Sequence, residues 1–142
     1  MNLPESLNPH ARSVVTRLIS IHPEFGAAVE PLDGGHFEAS IQAPVGSQAG
    51  ALVICTAKDR DIWLHFAPAQ MWYSVDNEEE MLEIVDLLFR DELLFVRTVD
   101  ADGAWSGTTL VRRVEAVDVQ GGETATVMSW SGLRDDVVRA TE

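Results

Sequence analysis

The residues of this chain with the means for chemistry are few and scattered: four histidines, a single cysteine, the acidic run Glu78-Glu79-Glu80, the stretch Asp100-Ala101-Asp102-Gly103 and the cluster Met71-Trp72-Tyr73. His10 falls on the first turn of a predicted helix, His22 precedes Pro23, and His36 and His65 fall on predicted strands. A metal site from His36, Glu38 and His65 would need their strands to be neighbours, about 4.8 Å apart, and nothing in the spacing demands it. No metal and no cofactor is therefore expected. Cys55 cannot form an internal disulfide and closes the apolar run Ala51-Leu52-Val53-Ile54-Cys55, so it reads as a buried small hydrophobe. A nucleophilic thiolate would want a cation or a helix N-terminus beside it, and only Lys58 is near in sequence. Consecutive acids on a helix point in different directions, and the helix dipole alone accounts for Glu78 to Glu80 in a first turn. Asp100-x-Asp102-Gly103 lacks the further acid and the bidentate glutamate of a calcium loop and reads as a turn. There is no G-x-x-x-x-G-K-[ST], G-x-S-x-G, H-E-x-x-H or strand-to-helix G-x-G-x-x-G motif, so no catalytic residue is assigned and a non-enzyme is expected.

What remains is aromatic. Met71-Trp72-Tyr73 is predicted to lie in the loop between the fourth strand and the second helix, beside the acids of Asp76 to Glu80. Two aromatics and a methionine beside acids have the make-up of a binding surface, which nominates Met71, Trp72, Tyr73, Glu78, Glu79 and Glu80 as one partner contact. The competing reading tucks Trp72 and Tyr73 back onto the core.

The elements that must position these residues follow from periodicity. Asn8-Pro9 starts a helix, with an amide at the N-cap and proline at the first helical position, and Ala11, Val14, Val15, Leu18 and Ile19 form its buried stripe. It should stop near Ile21, before Pro23. Ala27 to Leu32 and His36 to Gln42 read as a hairpin about Asp33-Gly34-Gly35, with Pro31 marking an edge strand. Ala51 to Ala57 and Ile62 to Ala67 read as a second hairpin. Asp76, with Glu79 three residues on, is the expected cap of a second helix whose apolar residues Met81 to Phe89 cover more than half its girth. Leu93 to Val99, Trp105 to Arg113, and then Val117 to Val119 and Thr124 to Trp130 about Gly121-Gly122 continue as a meander, and Leu133 to Thr141 as a short terminal helix. The order is helix, four strands, helix, three strands, short helix. Short connections make neighbours antiparallel, so the expected fold is α+β: a twisted antiparallel sheet of about seven strands with both main helices on one face.

With 142 residues, one domain spanning 1–142 is expected. The formal charge is −13, and the asymmetry is strong: six acids and four bases up to residue 60, seventeen acids and six bases after it. Such a surface repels phosphate backbones and anionic membranes but attracts a basic protein. The acidity is equally explained as a solubility device. Met1 to Ser20 has no continuous apolar core of the kind a signal peptide carries, and no apolar stretch approaches the ~20 residues of a membrane span, so a soluble, cytoplasmic protein is expected.

The run Ile62-Trp63-Leu64-His65-Phe66-Ala67, then Ser74 to Glu80, the Ile84-Val85-Asp86-Leu87-Leu88 helix, and Leu93-Leu94-Phe95-Val96 before Trp105 resemble small uncharacterised bacterial α+β proteins of toxin-immunity type. That resemblance implies a protein that binds and blocks a cognate toxin, often with an acidic face. By element order and acidity the chain is also similar to type III secretion chaperones, which are dimeric, though it carries an extra strand in each block. The reading these considerations lead to is a non-catalytic acidic domain that blocks or chaperones a basic partner. Two others stay open: a small-molecule or enzymatic domain with a pocket drawn from Trp63, Phe66, Trp72 and Trp105, and a homodimer of structural or regulatory role.

Overall fold

A computed structural model describes residues 3–58, 60–66 and 71–140. Among the described residues nine strands form two antiparallel sheets: β1 (Val29–Pro31), β2 (Phe37–Gln42), β3 (Ala51–Ala57), β4 (Asp61–Phe66) and β5 (Met71–Val75) in chain order, and β6 (Leu94–Val99), β7 (Trp105–Val111), β8 (Thr124–Met128) and β9 (Asp136–Arg139) in the order β7-β6-β8-β9. The α-helices among the described residues are α1 (Pro9–Ile21) and α2 (Glu78–Phe89). The α+β class and antiparallel pairing are as the sequence predicts; the single seven-stranded sheet is not. Its division has a packing cause: after α2 the chain sets Phe95 against Phe66, ring centroids 4.5 Å apart, instead of extending the β5 edge. The main core therefore runs through both sheets, from Leu18 and Val85 on the helices to Ile54 and Leu64 on the first sheet and Phe95 and Met128 on the second.

Helix α1 starts as predicted, with the Asn8 side chain accepting from the Ala11 N–H at 2.8 Å. Asn8 is also where the helix docks on the turn before β2: its N–H donates to the Gly35 carbonyl at 2.8 Å and its Nδ2 to that of Gly34. Gly35 sits at φ 81°, and a Cβ there would lie 2.8 Å from the Asn8 nitrogen, so the turn needs glycine for both conformation and space. The first predicted strand is shorter than expected, because Pro23–Ala28 forms a 3-10 helix that leaves only Val29–Pro31 to pair. The β3–β4 hairpin matches expectation; Asp59 of its turn and Ala67 at its predicted end lie outside the described residues.

Four further expectations are corrected. Met71 to Tyr73 is strand, not loop: Met-Trp-Tyr-Ser-Val is rich in β-favouring residues and pairs with β4 throughout. The α2 cap is Asn77, whose Oδ1 accepts from the Glu80 N–H at 2.9 Å, while Glu80 accepts from the Asp76 N–H at 3.0 Å. The capping-box spacing is thus real but one residue later than Asp76 and Glu79. Val117 to Val119 is not a strand. Val114, Val117 and Val119 instead cover Leu94, Val96, Ala125 and Val127, a small second core, as the chain crosses to pair β8 with the far edge of β6. The terminal helix is also not formed. Asp136–Arg139 pairs with β8, because nine residues nucleate a helix poorly while Val137 and Val138 suit a waiting sheet edge; Thr141 lies outside the described residues.

Candidate functional site

Both α-helices share one core with the five-stranded sheet, and alternation along its strands decides what the other side shows. Leu52, Ile54 and Thr56 of β3 point inward with Ile62, Leu64 and Phe66 of β4, all buried. Val53 and Cys55 point the other way. This corrects the expected burial of Cys55, which is only partly covered: in a seven-residue strand the phase of alternation outweighs the local apolar run, so polar Thr56 goes in and the thiol goes out. Thr56 is satisfied there, its Oγ1 accepting from the Phe37 N–H at 3.3 Å with the His36 ring 3.3 Å away.

Register aligns the open side into two cross-strand rows. Glu38, Cys55, Trp63 and Ser74 form one, and Ser40, Val53, His65 and Trp72 the next. His65 and Trp72 stack with ring centroids 4.2 Å apart and planes 24° apart, and Trp63 stands edge-on to Trp72 at 6.4 Å. Trp72 stays 58% exposed, so most of its ring faces solvent although it is packed on both neighbours. Acids lie toward one end: Glu30 stands directly opposite Glu38, and Asp61 opposite Ala57. Like charges in register repel, so the Glu30–Glu38 pairing is a local cost to the sheet. The Cys55 thiol is pushed above the usual thiol range, first by burial and then by the Glu38 carboxylate, which disfavours the thiolate. This face can stack and hold cations against π-clouds; its thiol is poorly placed to attack.

The six nominated contact residues do not share this surface. Trp72 is on the open face. Tyr73, the next residue on β5, points to the helix side, where with Glu80 it lines a groove between α2 and β7 of about 420 Å³. Glu78 and Glu79 turn to α1: Ser13 Oγ donates to Glu78 at 2.9 Å, and Arg17 pairs with Glu79 at 2.6 Å. Met71 contributes its backbone to β5 opposite Phe66, and its side chain lies outside the described residues. The residues of the suggested aromatic pocket also part company: Trp63 meets Trp72, Phe66 is buried against Phe95, and Trp105 is half exposed on β7. His36 and His65 are separated by β3, and among the described residues no group of three metal-ligating side chains converges. The signal missed in the sequence was Trp63-x-His65 at strand spacing, which places both rings on one face.

The Asp100 turn is built as a turn, with Oδ1 accepting the N–H groups of Asp102 and Ala104 at 2.9 and 3.0 Å and Gly103 at φ 84°. Among the described residues no helix is long and apolar enough to cross a membrane. No protein-family model matches the chain, and no curated protein and no solved structure matches it.

Proposed function

We propose that this chain is a non-catalytic binding domain that takes a basic protein partner on the open face of its five-stranded sheet. The observation that carries the reading is Trp72, held on His65 and Trp63 yet 58% exposed, on a sheet face whose described residues are all at least partly exposed. An immobilised tryptophan has little rotamer entropy left to lose on binding, which is what makes such residues strong contact points. Glu30, Glu38 and Asp61 beside it supply the charge that a lysine- or arginine-bearing partner would neutralise, relieving the Glu30–Glu38 repulsion in doing so. Cations over the indoles would add to that attraction. Under this reading the resemblance to toxin-immunity proteins makes the partner a toxin, and the resemblance to secretion chaperones makes it an exported protein.

The test is capture of partners from the native host by wild type, Trp72→Ala and Glu38→Lys, each first shown to melt cooperatively. Trp72→Ala should raise the dissociation rate at least tenfold. Glu38→Lys should slow association and flatten its salt dependence between 0.1 and 1 M, where the Debye length falls from about 10 to about 3 Å. Wild-type kinetics in both folded variants would sink the proposal and leave the acidity a solubility device.

A further inference from the structure

The four outer strands of the two sheets are not alike. β1 carries Glu30 and Pro31, and β9 carries Asp136 and Arg139. Charges and proline are the usual means by which a sheet edge is kept from pairing with another chain. β5 (Met-Trp-Tyr-Ser-Val) and β7 (Trp-Ser-Gly-Thr-Thr-Leu-Val) carry neither. These two unguarded strands come together at one place: Tyr73 of β5 and Thr108, Thr109 and Leu110 of β7 line the same groove under α2. Alternate side chains of a strand point to opposite faces, so three consecutive lining residues mean that the groove meets the β7 backbone as well as its side chains. Among the described residues, β7 pairs with β6 alone.

The groove, about 420 Å³, is in the range of ligand clefts, roughly 300–1,000 Å³. Its α2 wall presents Glu80 and Glu83, three residues apart and so on one side of the helix. Glu80 is engaged in capping α2, whereas Glu83 makes no hydrogen bond or ion pair among the described residues. Arg112, past the end of β7, is the one cation on the lining.

We infer that this groove binds an extended segment of the basic partner by strand addition to β7, with a lysine or arginine side chain directed to Glu83. Backbone pairing to the free β7 edge supplies the affinity, and the charge on the α2 wall selects the side chain. Arg112 repels a cation placed at its end, so the basic residue sits toward the α2 wall. The inference rests on the basic-partner reading but uses a different surface from Trp72.

The experiment uses the full chain and synthetic peptides of alternating threonine and valine with a central lysine, a central glutamate, or a central lysine and N-methylated backbone amides. Amide hydrogen exchange is followed residue by residue. The lysine peptide should slow exchange at those amides of Thr108 to Leu110 that point away from β6, and N-methylation should abolish the effect. Replacing the central lysine by glutamate, or Glu83 by glutamine (E83Q), should weaken binding about two- to fivefold, the range of an exposed ion pair. The proposal is overturned if the lysine peptide leaves β7 exchange unchanged, if the glutamate peptide binds equally well, or if protection appears on β2 to β4 instead. Protection of β7 that grows with protein concentration and without peptide would also overturn it, assigning the edge to a second copy of this chain. Trp72→Ala should not alter peptide binding, so failure here and failure of the open-face reading are separately visible.

Discussion

Asp91, just past the C-cap residue Arg90 of α2, is the one described non-glycine residue with positive φ, at 58°. Its carboxylate accepts from the Ser131 N–H and hydroxyl, and its carbonyl accepts from Arg134, pinning the end of α2 to the loop between β8 and β9. Asp91→Ala should therefore cost about 2–3 kcal/mol, from two lost hydrogen bonds and a left-handed alanine. Asp91→Asn, which tolerates that conformation and keeps an acceptor, should cost less than half as much; urea melts of the two would check the order. Cys55 gives a prediction in pH. Its thiol is raised by burial and by Glu38, so the neutral thiol favours the folded state. That contribution is fully present below the unfolded thiol pKa and is lost as pH rises through the folded one. Native Cys55 should accordingly label more slowly than an unfolded thiol at the same pH, and Glu38→Gln should shift the labelling profile to lower pH. An unshifted profile in the variant would mean that the carboxylate does not act on the sulfur.

Elements are held by their ends as well as their faces. Asn77→Ala should lower stability by about 1 kcal/mol, because it removes the side chain that accepts the Glu80 N–H, whereas Asp76→Ala should change it by less than 0.5 kcal/mol. Equal losses in chemical denaturation would return the cap to Asp76. Along the same helix Leu88 is fully buried with Met81 and Val85, so Leu88→Ala should cost about 2–5 kcal/mol by opening a cavity. A loss under 1 kcal/mol would show that the helix phase is wrong. The contacts of Glu78 with Ser13 and of Glu79 with Arg17 tie α2 to α1 but are exposed, so water and salt screen them and they add little to stability.

For the whole molecule the dominant fact is a formal charge of −13 on 142 residues. Self-repulsion of that size acts against the compact state and is screened by salt. The melting temperature should therefore rise from 0.01 to 0.15 M salt, as the Debye length falls from about 30 to about 8 Å. A flat or falling midpoint would mean that local ion pairs outweigh the net field. The same charge acts at long range on any partner, while Trp72 and the β7 edge act only on contact.

The amino-acid sequence by itself determined what depends on near neighbours. Helix α1 with its Asn8 cap, the β3–β4 hairpin, the alternation of β2 and the burial of the α2 stripe are set by period and capping chemistry within a few residues. Charge, and the scarcity of catalytic motifs, were equally legible there. Tertiary structure alone decided everything that turns on which strands become neighbours. Val117 to Val119 and Val137-Val138 are apolar in either reading, and only the second sheet tells a covering segment from a strand and a strand from a helix. The candidate site is of the same kind. Trp63, His65 and Trp72 meet because β4 and β5 pair in one register, and a slip of one residue would have turned Trp72 to the core and Tyr73 to the open face. Glu78 and Glu79 adjoin Trp72 and Tyr73 in sequence, yet strand alternation and the 100° step of the helix send these four side chains to three different surfaces.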